Sequence, residues 1–299
     1  MIPYKDFYKY YQTDFFKIQQ IINKDALEKI DYWVEKFKDE SESIDKNRVK
    51  QIIRSHIRIT YLHCIDTLFE LVFGLYPRNN KIQDINLPLI VGKNKDYFNK
   101  PRIEGLADKN EETIKELNEG ITFGKQEVSL LQYIFYYQIN QNIISDDKSL
   151  KDIRESLKPI LDLLSIFAKD LADKSEYNSL KHALRVFPIT GQFKLLDSDT
   201  KKEIAGIEFS NAHQYIQERK DDIKIVTKNF DSERDYRYTL IASKMIWNII
   251  NTRRLFFTKD SGFHSCYVYF FDENEFREYE ESIIHKQKVE LKLKKKNMP

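Results

Sequence analysis

From Tyr4 to about Val186, apolar residues recur at steps of three and four, and after Pro188 the spacing changes to the alternation expected of strands. Such a chain must first bury helical stripes against one another and then close a small sheet. Glycine and proline, the residues that interrupt helices, number only 8 and 7 in 299 residues, which supports long helices. All-β sandwiches, collagen-like repeats and glycine-rich nucleotide folds are disfavoured. The expected fold is α+β and mainly helical. A helical bundle over 1–187 precedes a smaller α+β domain over 188–299, which has a mostly antiparallel sheet and a basic C-terminal strand and tail.

Within this frame, Tyr4, Tyr8, Tyr11, Phe15, Ile18 and Ile22 predict a first amphipathic helix. Further helices are expected at 25–37, 48–75, 108–118, 126–143, 148–172 and 175–186. The polar stretch 38–47 reads as a solvated connection, and 77–105, with Pro77, Pro88 and Pro101, as an irregular excursion. Strands at 192–196 and 203–209 flank the turn DSDTKK, and further strands are expected at 223–230 and 263–271. Helices at 234–257 and 273–285 complete the set, before Val289, Leu291 and Leu293 alternate in a final strand.

Charge and cysteine content exclude several classes. With 49 Lys plus Arg against 47 Asp plus Glu, the net charge is +2, so no global field drives the chain onto nucleic acid or anionic lipid. Cys64 and Cys266 stand far apart, which argues against a disulfide scaffold or a cysteine-rich zinc module and fits a reducing compartment. No stretch approaches 18 uninterrupted apolar residues, and the N-terminus lacks the apolar run of a signal peptide, so a cytoplasmic location without membrane contact is expected.

The stretch 54–73 is the most informative. One stripe holds Ile57, Tyr61, Cys64 and Leu68, and a second holds Leu62, Ile65, Phe69 and Val72, so the helix is covered around most of its circumference. The remaining face carries His56, Thr60, His63, Asp66, Thr67 and Glu70. A polar seam on such a helix is either a hydrogen-bonded cross-helix network or a solvent face. Asn178, His182 and Arg185, at i, i+4 and i+7, offer a partner face on the helix 175–186. If the two helices pack, imidazoles, carboxylates and a guanidinium converge.

The string RITYLH places Arg58, four intervening residues and then His63 on a helix of a helical domain. It resembles the R-x4-6-H motif of HEPN-domain ribonucleases. The resemblance implies a metal-independent endoribonuclease without a cofactor, acting on RNA as a homodimer or with a protein partner, in a bacterial defence or toxin–antitoxin system. Arg58 would then stabilise charge developing on the phosphate and His63 would move the proton, with His56, Asp66, Glu70, Asn178, His182 and Arg185 in support.

Two other readings stand beside it. The seam can be the buried polar network of a non-catalytic helical interaction or structural protein. Alternatively, His63, Asp66 and Glu70, at i, i+3 and i+7, can offer ligands to Fe, Mn or Zn. P-loop, dinucleotide-binding and nucleophile-elbow signatures are absent from the sequence. The tail from Lys286 onward carries six Lys and one Glu, which suits either a phosphate-contacting arm or an edge strand guarded by lysines.

Overall fold

The computed structural model describes residues 3–38, 45–78, 81–91, 96–123, 126–139, 147–172, 174–181, 186–196, 199–200, 203–218, 222–258, 267–280 and 288–294. The fold is α+β and mainly helical, with two antiparallel sheets among the described residues. None of the described helices is long and apolar enough to cross a membrane.

The chain forms two compact units. The first comprises Met1–Lys17, Leu62–Ala172 and Thr239–Glu280, and the second Ile18–Tyr61, Asp173–Tyr238 and Glu281–Pro299. Periodicity alone places a single boundary at 187. The units are instead discontinuous, because two long helices, α4 (Lys46–Gly74) and α11 (Ser232–Phe257), each contribute residues to both.

In the first unit the second half of α4 is deeply buried. Leu62, Cys64, Ile65, Leu68, Phe69, Leu71, Val72 and Phe73 are all buried, as the two stripes require. The unit also holds α1 (Tyr4–Tyr10), α5 (Leu87–Val91), α6 (Asp96–Ala107), α7 (Glu111–Asn118), α8 (Leu130–Phe135) and α9 (Asp147–Ala172). The excursion expected over 77–105 therefore contains two helices. The helix expected from Tyr4 to Ile22 is interrupted after Tyr10, and α2 begins at Phe15 and runs to Glu28. At the break, Arg254 donates from Nε to the Tyr8 carbonyl at 2.7 Å and from Nη2 to the Tyr11 carbonyl at 2.8 Å. A guanidinium thus takes carbonyls that a continued helix would have bonded internally.

β1 (Gly120–Phe123) pairs antiparallel with β2 (Gln126–Ser129), where a helix is expected from 126. Ser129 then caps α8, its hydroxyl accepting from the Gln132 N–H at 3.1 Å. The strand expected at 263–271 is not formed over its described part, 267–271. The backbone there pairs with helix side chains instead of with another strand. Asn248 donates to the Tyr269 carbonyl at 2.8 Å and accepts from its N–H at 2.9 Å, Trp247 donates to the Tyr267 carbonyl, and Ser156 accepts from the Phe271 N–H. With its polar groups satisfied this way, the segment needs no ladder. The charged helix expected at 273–285 is reduced to a 3-10 turn at Glu273–Glu275 and α12 (Arg277–Glu280), its remainder lying outside the described residues.

The second unit holds α2 from Ile18, α3 (Ile30–Lys38), the first half of α4, α10 (Lys174–Lys181) and the start of α11. It also holds a sheet ordered β3 (Val186–Leu196), β4 (Glu203–Glu218), β5 (Asp222–Asn229) and β6 (Lys288–Lys294), antiparallel throughout. The register sets His213 opposite Lys228, and Tyr215 opposite Val226, which in turn faces Glu290. These positions share one face, and His213, Tyr215, Val226 and Lys224 on it are buried. On the opposite face, Ile216, Ile225 and Leu291 form a cross-strand row, with Ile216 54% and Leu291 55% exposed. A lysine and a histidine thus lie buried beside Tyr215 and Val226 on one face, while two aliphatic side chains of the other are exposed.

Candidate functional site

Arg58, in the first half of α4, is completely buried. It extends the second apolar stripe by one turn, standing four residues before Leu62, so the packing that covers the stripe covers the guanidinium too. A buried cation must be paired, and Arg58 is paired at all three nitrogens. Nε donates to Glu176 Oε1 at 2.9 Å, Nη2 to Glu176 Oε2 at 3.1 Å, and Nη1 to Asp235 Oδ1 at 3.0 Å. The bidentate fork on Glu176 is the geometry that arginine, and not lysine, can make.

Three elements supply the partners. Glu176 comes from α10, Asp235 from the first turn of α11, and Lys228 of β5 adds a third bond to Glu176, at 2.7 Å to Oε2. Arg234 lies 3.5 Å from Asp235 Oδ1, and its guanidinium stacks over Tyr238 at 4.5 Å. Burial pushes the Glu176 carboxyl up, but the charges and hydrogen bonds of Arg58 and Lys228 reverse this and hold it far below the ordinary carboxylate range. Glu176 is therefore ionised at neutral pH.

His213, on β4, stands beside this cluster. Its ring stacks on Phe230 at 4.5 Å, and its Nε2 is hydrogen-bonded to Ser55 Oγ at 2.7 Å. Burial lowers its pKa to about 4, with Arg58 and Lys228 adding to the effect and Glu176 opposing it. At neutral pH the ring is uncharged, and among the described residues its Nδ1 has no hydrogen-bond partner.

A second buried ion pair lies in the first unit. Arg253 of α11 donates from Nε to Asp84 Oδ1 at 2.6 Å, and its other nitrogens donate to the carbonyls of Ile134, Ile249 and Tyr133. Tyr133 donates to Asp84 Oδ2, Tyr8 donates to the Asp84 carbonyl, and the guanidinium lies 4.6 Å from the Tyr137 ring centre. Burial raises the pKa values of Tyr8 and Tyr133 well above the phenolic range, so both remain donors.

Several expectations are corrected by this arrangement. Arg58, expected to face a scissile phosphate, lies in the interior and is committed to carboxylates. His63, Asp66 and Glu70 are half-buried rather than enclosed, and His56 is exposed, its Nδ1 hydrogen-bonded to Asn23 at 2.9 Å. The seam is thus partly open to solvent. Among the described residues no group of three His, Cys, Asp or Glu side chains could hold a metal, so His63, Asp66 and Glu70 do not form the centre their spacing allowed. Asn178 is exposed, and His182 and Arg185 lie outside the described residues. The α10 residue that reaches α4 is Glu176, two positions before Asn178.

Glu176, Asp235, His213, Asp84 and Arg253 were all missed in the sequence reading. For two of them a signal existed. The buried stripe of α11 runs Asp235, Thr239, Ala242, Ile246, Ile249, Arg253, at steps of four and three, with an ionisable residue at each end. A charged residue in phase with an apolar stripe foretells a buried ion pair, as does Arg58 on α4. Glu176 and Asp84 belong to no comparable stripe.

Comparison with known proteins yields no relative: no family model matches the chain, and neither curated proteins nor solved structures give a match.

Proposed function

We propose that this chain is a non-catalytic helical interaction or structural protein whose Arg58 network holds the fold together. One observation carries the reading: every nitrogen of the Arg58 guanidinium is spent on a buried carboxylate. An arginine that stabilises a reacting phosphate must present at least one edge of its fork to substrate. Here, exposing that edge would strand Glu176 and Asp235 in the interior. The HEPN-type reading retains His63, which is half-buried, but a lone imidazole without the guanidinium supplies only proton transfer.

The test is incubation of the purified chain with single-stranded RNA in chelator at neutral pH, beside a His63→Ala variant. The expected outcome is no cleavage by either protein. Cleavage by the wild type that disappears in His63→Ala, with the fold unchanged by circular dichroism, would restore the ribonuclease reading.

A further inference from the structure

The open edge of the second unit's sheet points to a partner. β6 pairs with β5 alone, and among the described residues nothing pairs with its other edge. An open edge is a template for another strand. Beside it, Leu291 is 55% exposed at the end of the row formed with Ile225 and Ile216, on the face where the β6 positions are 289, 291 and 293, all aliphatic. The strand that best fits this edge is written in the strand itself. Read from its centre, Val289-Glu290-Leu291-Lys292-Leu293 is complementary to its own antiparallel copy. A two-fold axis at Leu291 sets Leu291 opposite Leu291, Glu290 opposite Lys292, and Val289 opposite Leu293. Aliphatic positions meet aliphatic ones and acidic positions meet basic ones.

We infer that β6 is a homodimer interface, pairing antiparallel with β6 of a second copy about a two-fold axis at Leu291 to give one eight-stranded sheet. Such an interface is isologous, so each favourable pair occurs twice. The added strand covers the exposed side of Leu291 and continues the Ile216, Ile225, Leu291 row into the partner. One shift of register by a single residue would set Leu291 opposite Glu290 or Lys292 and turn the aliphatic row to the other face, so the alternation specifies the register as well as the pairing. Lys288 falls opposite Lys294 at each end. That like-charge pair tempers the association and opposes the attraction of the Glu290–Lys292 pairs. This inference deepens the reading of the chain as an interaction protein by naming a second copy as its partner.

The experiment measures oligomeric state by light scattering coupled to size exclusion over a hundredfold range of concentration, together with cysteine cross-linking. Opposed residues on antiparallel strands have Cα atoms about 4.5–5.5 Å apart, within disulfide reach. In a Cys266→Ser background, Leu291→Cys should therefore cross-link to a covalent dimer on mild oxidation, and Val289→Cys, which is opposed to Leu293, should not. Leu291→Lys, a change at an exposed position, should weaken the dimer about tenfold with an unchanged melting curve. Ile216→Lys, on the same face but two strands from the edge, should leave it intact. A protein that is monomeric throughout, a dimer that survives Leu291→Lys, or one lost in Ile216→Lys but not cross-linked at 291 would overturn the inference. None of these results depends on the RNA assay, so the two readings fail separately.

Discussion

Replacing Glu176 by Gln tests whether the Arg58 cluster holds the fold. The substitution keeps the shape of the side chain and removes only its charge and one acceptor oxygen. Three hydrogen bonds end on the two Glu176 oxygens: two from Arg58, at 2.9 and 3.1 Å, and one from Lys228, at 2.7 Å. In the variant the single amide oxygen can keep part of this set, and the amide NH2 confronts a donor. Hydrogen bonds to charged groups contribute roughly 1.5–3 kcal/mol each, and removal of one member of a buried ion pair typically costs about 3–5 kcal/mol. Because Asp235 still pairs with Arg58, we expect a loss of about 3 kcal/mol, a large part of a domain stability of roughly 5–15 kcal/mol. Urea unfolding followed by circular dichroism measures it. Arg58→Met and Glu176→Leu combined should cost less than the two single changes added together, because neither of the two then strands the other, although Asp235 and Lys228 each still lose a partner. A change below about 1 kcal/mol in Glu176→Gln, or strict additivity in the double variant, would show that the cluster is not a coupled network.

Protonation of His213 gives a second test. Its pKa is lowered in the fold from 6.5 to about 4, so the unfolded chain binds a proton that the folded chain refuses between those values. This contribution is fully present above about pH 6.5 and is lost as pH falls toward 4, amounting to about 3 kcal/mol over that window. The stability of His213→Gln should fall less steeply there, and an unchanged slope would refute the assignment. The Glu176 carboxyl, lowered in the fold, acts at more acid pH: its contribution is complete above the usual carboxylate range and is lost only in strong acid. In the first unit, Asp84→Asn should cost about 2–4 kcal/mol, since it removes the only carboxylate that pairs with Arg253 among the described residues and leaves the buried guanidinium neutral oxygens alone to accept its hydrogen bonds. A loss under about 1 kcal/mol in a urea titration followed by tyrosine fluorescence would mean that those oxygens suffice.

The long helices were legible because their signal is local. The two apolar stripes of α4 and the stripe of α9 repeat over many turns, and the helices they predict at 48–75 and 148–172 correspond to Lys46–Gly74 and Asp147–Ala172. Strands β5 and β6 were legible for the same reason, through alternation at 223–230 and 289–293. Elements whose backbone is satisfied by distant side chains were not. The helix break after Tyr10 depends on Arg254, and the absence of a strand over 267–271 depends on Trp247, Asn248 and Ser156.

The division at the candidate site follows the same line. The sequence by itself determined that α4 is covered on most sides, that a polar face including His63 and Asp66 rides on it, and that Arg58 stands in phase with an apolar stripe, because helical periodicity is a property of neighbouring residues. Whether Arg58 meets solvent or carboxylate was decided only by tertiary structure, since Glu176 lies 118 residues away and Asp235 lies 177 residues away. A guanidinium in phase with an apolar stripe is buried at a cost of several kcal/mol unless such partners arrive, and nothing within a few residues of position 58 can supply them. The chemistry of an ionisable side chain is set by the field around it, and here residues far along the chain create that field.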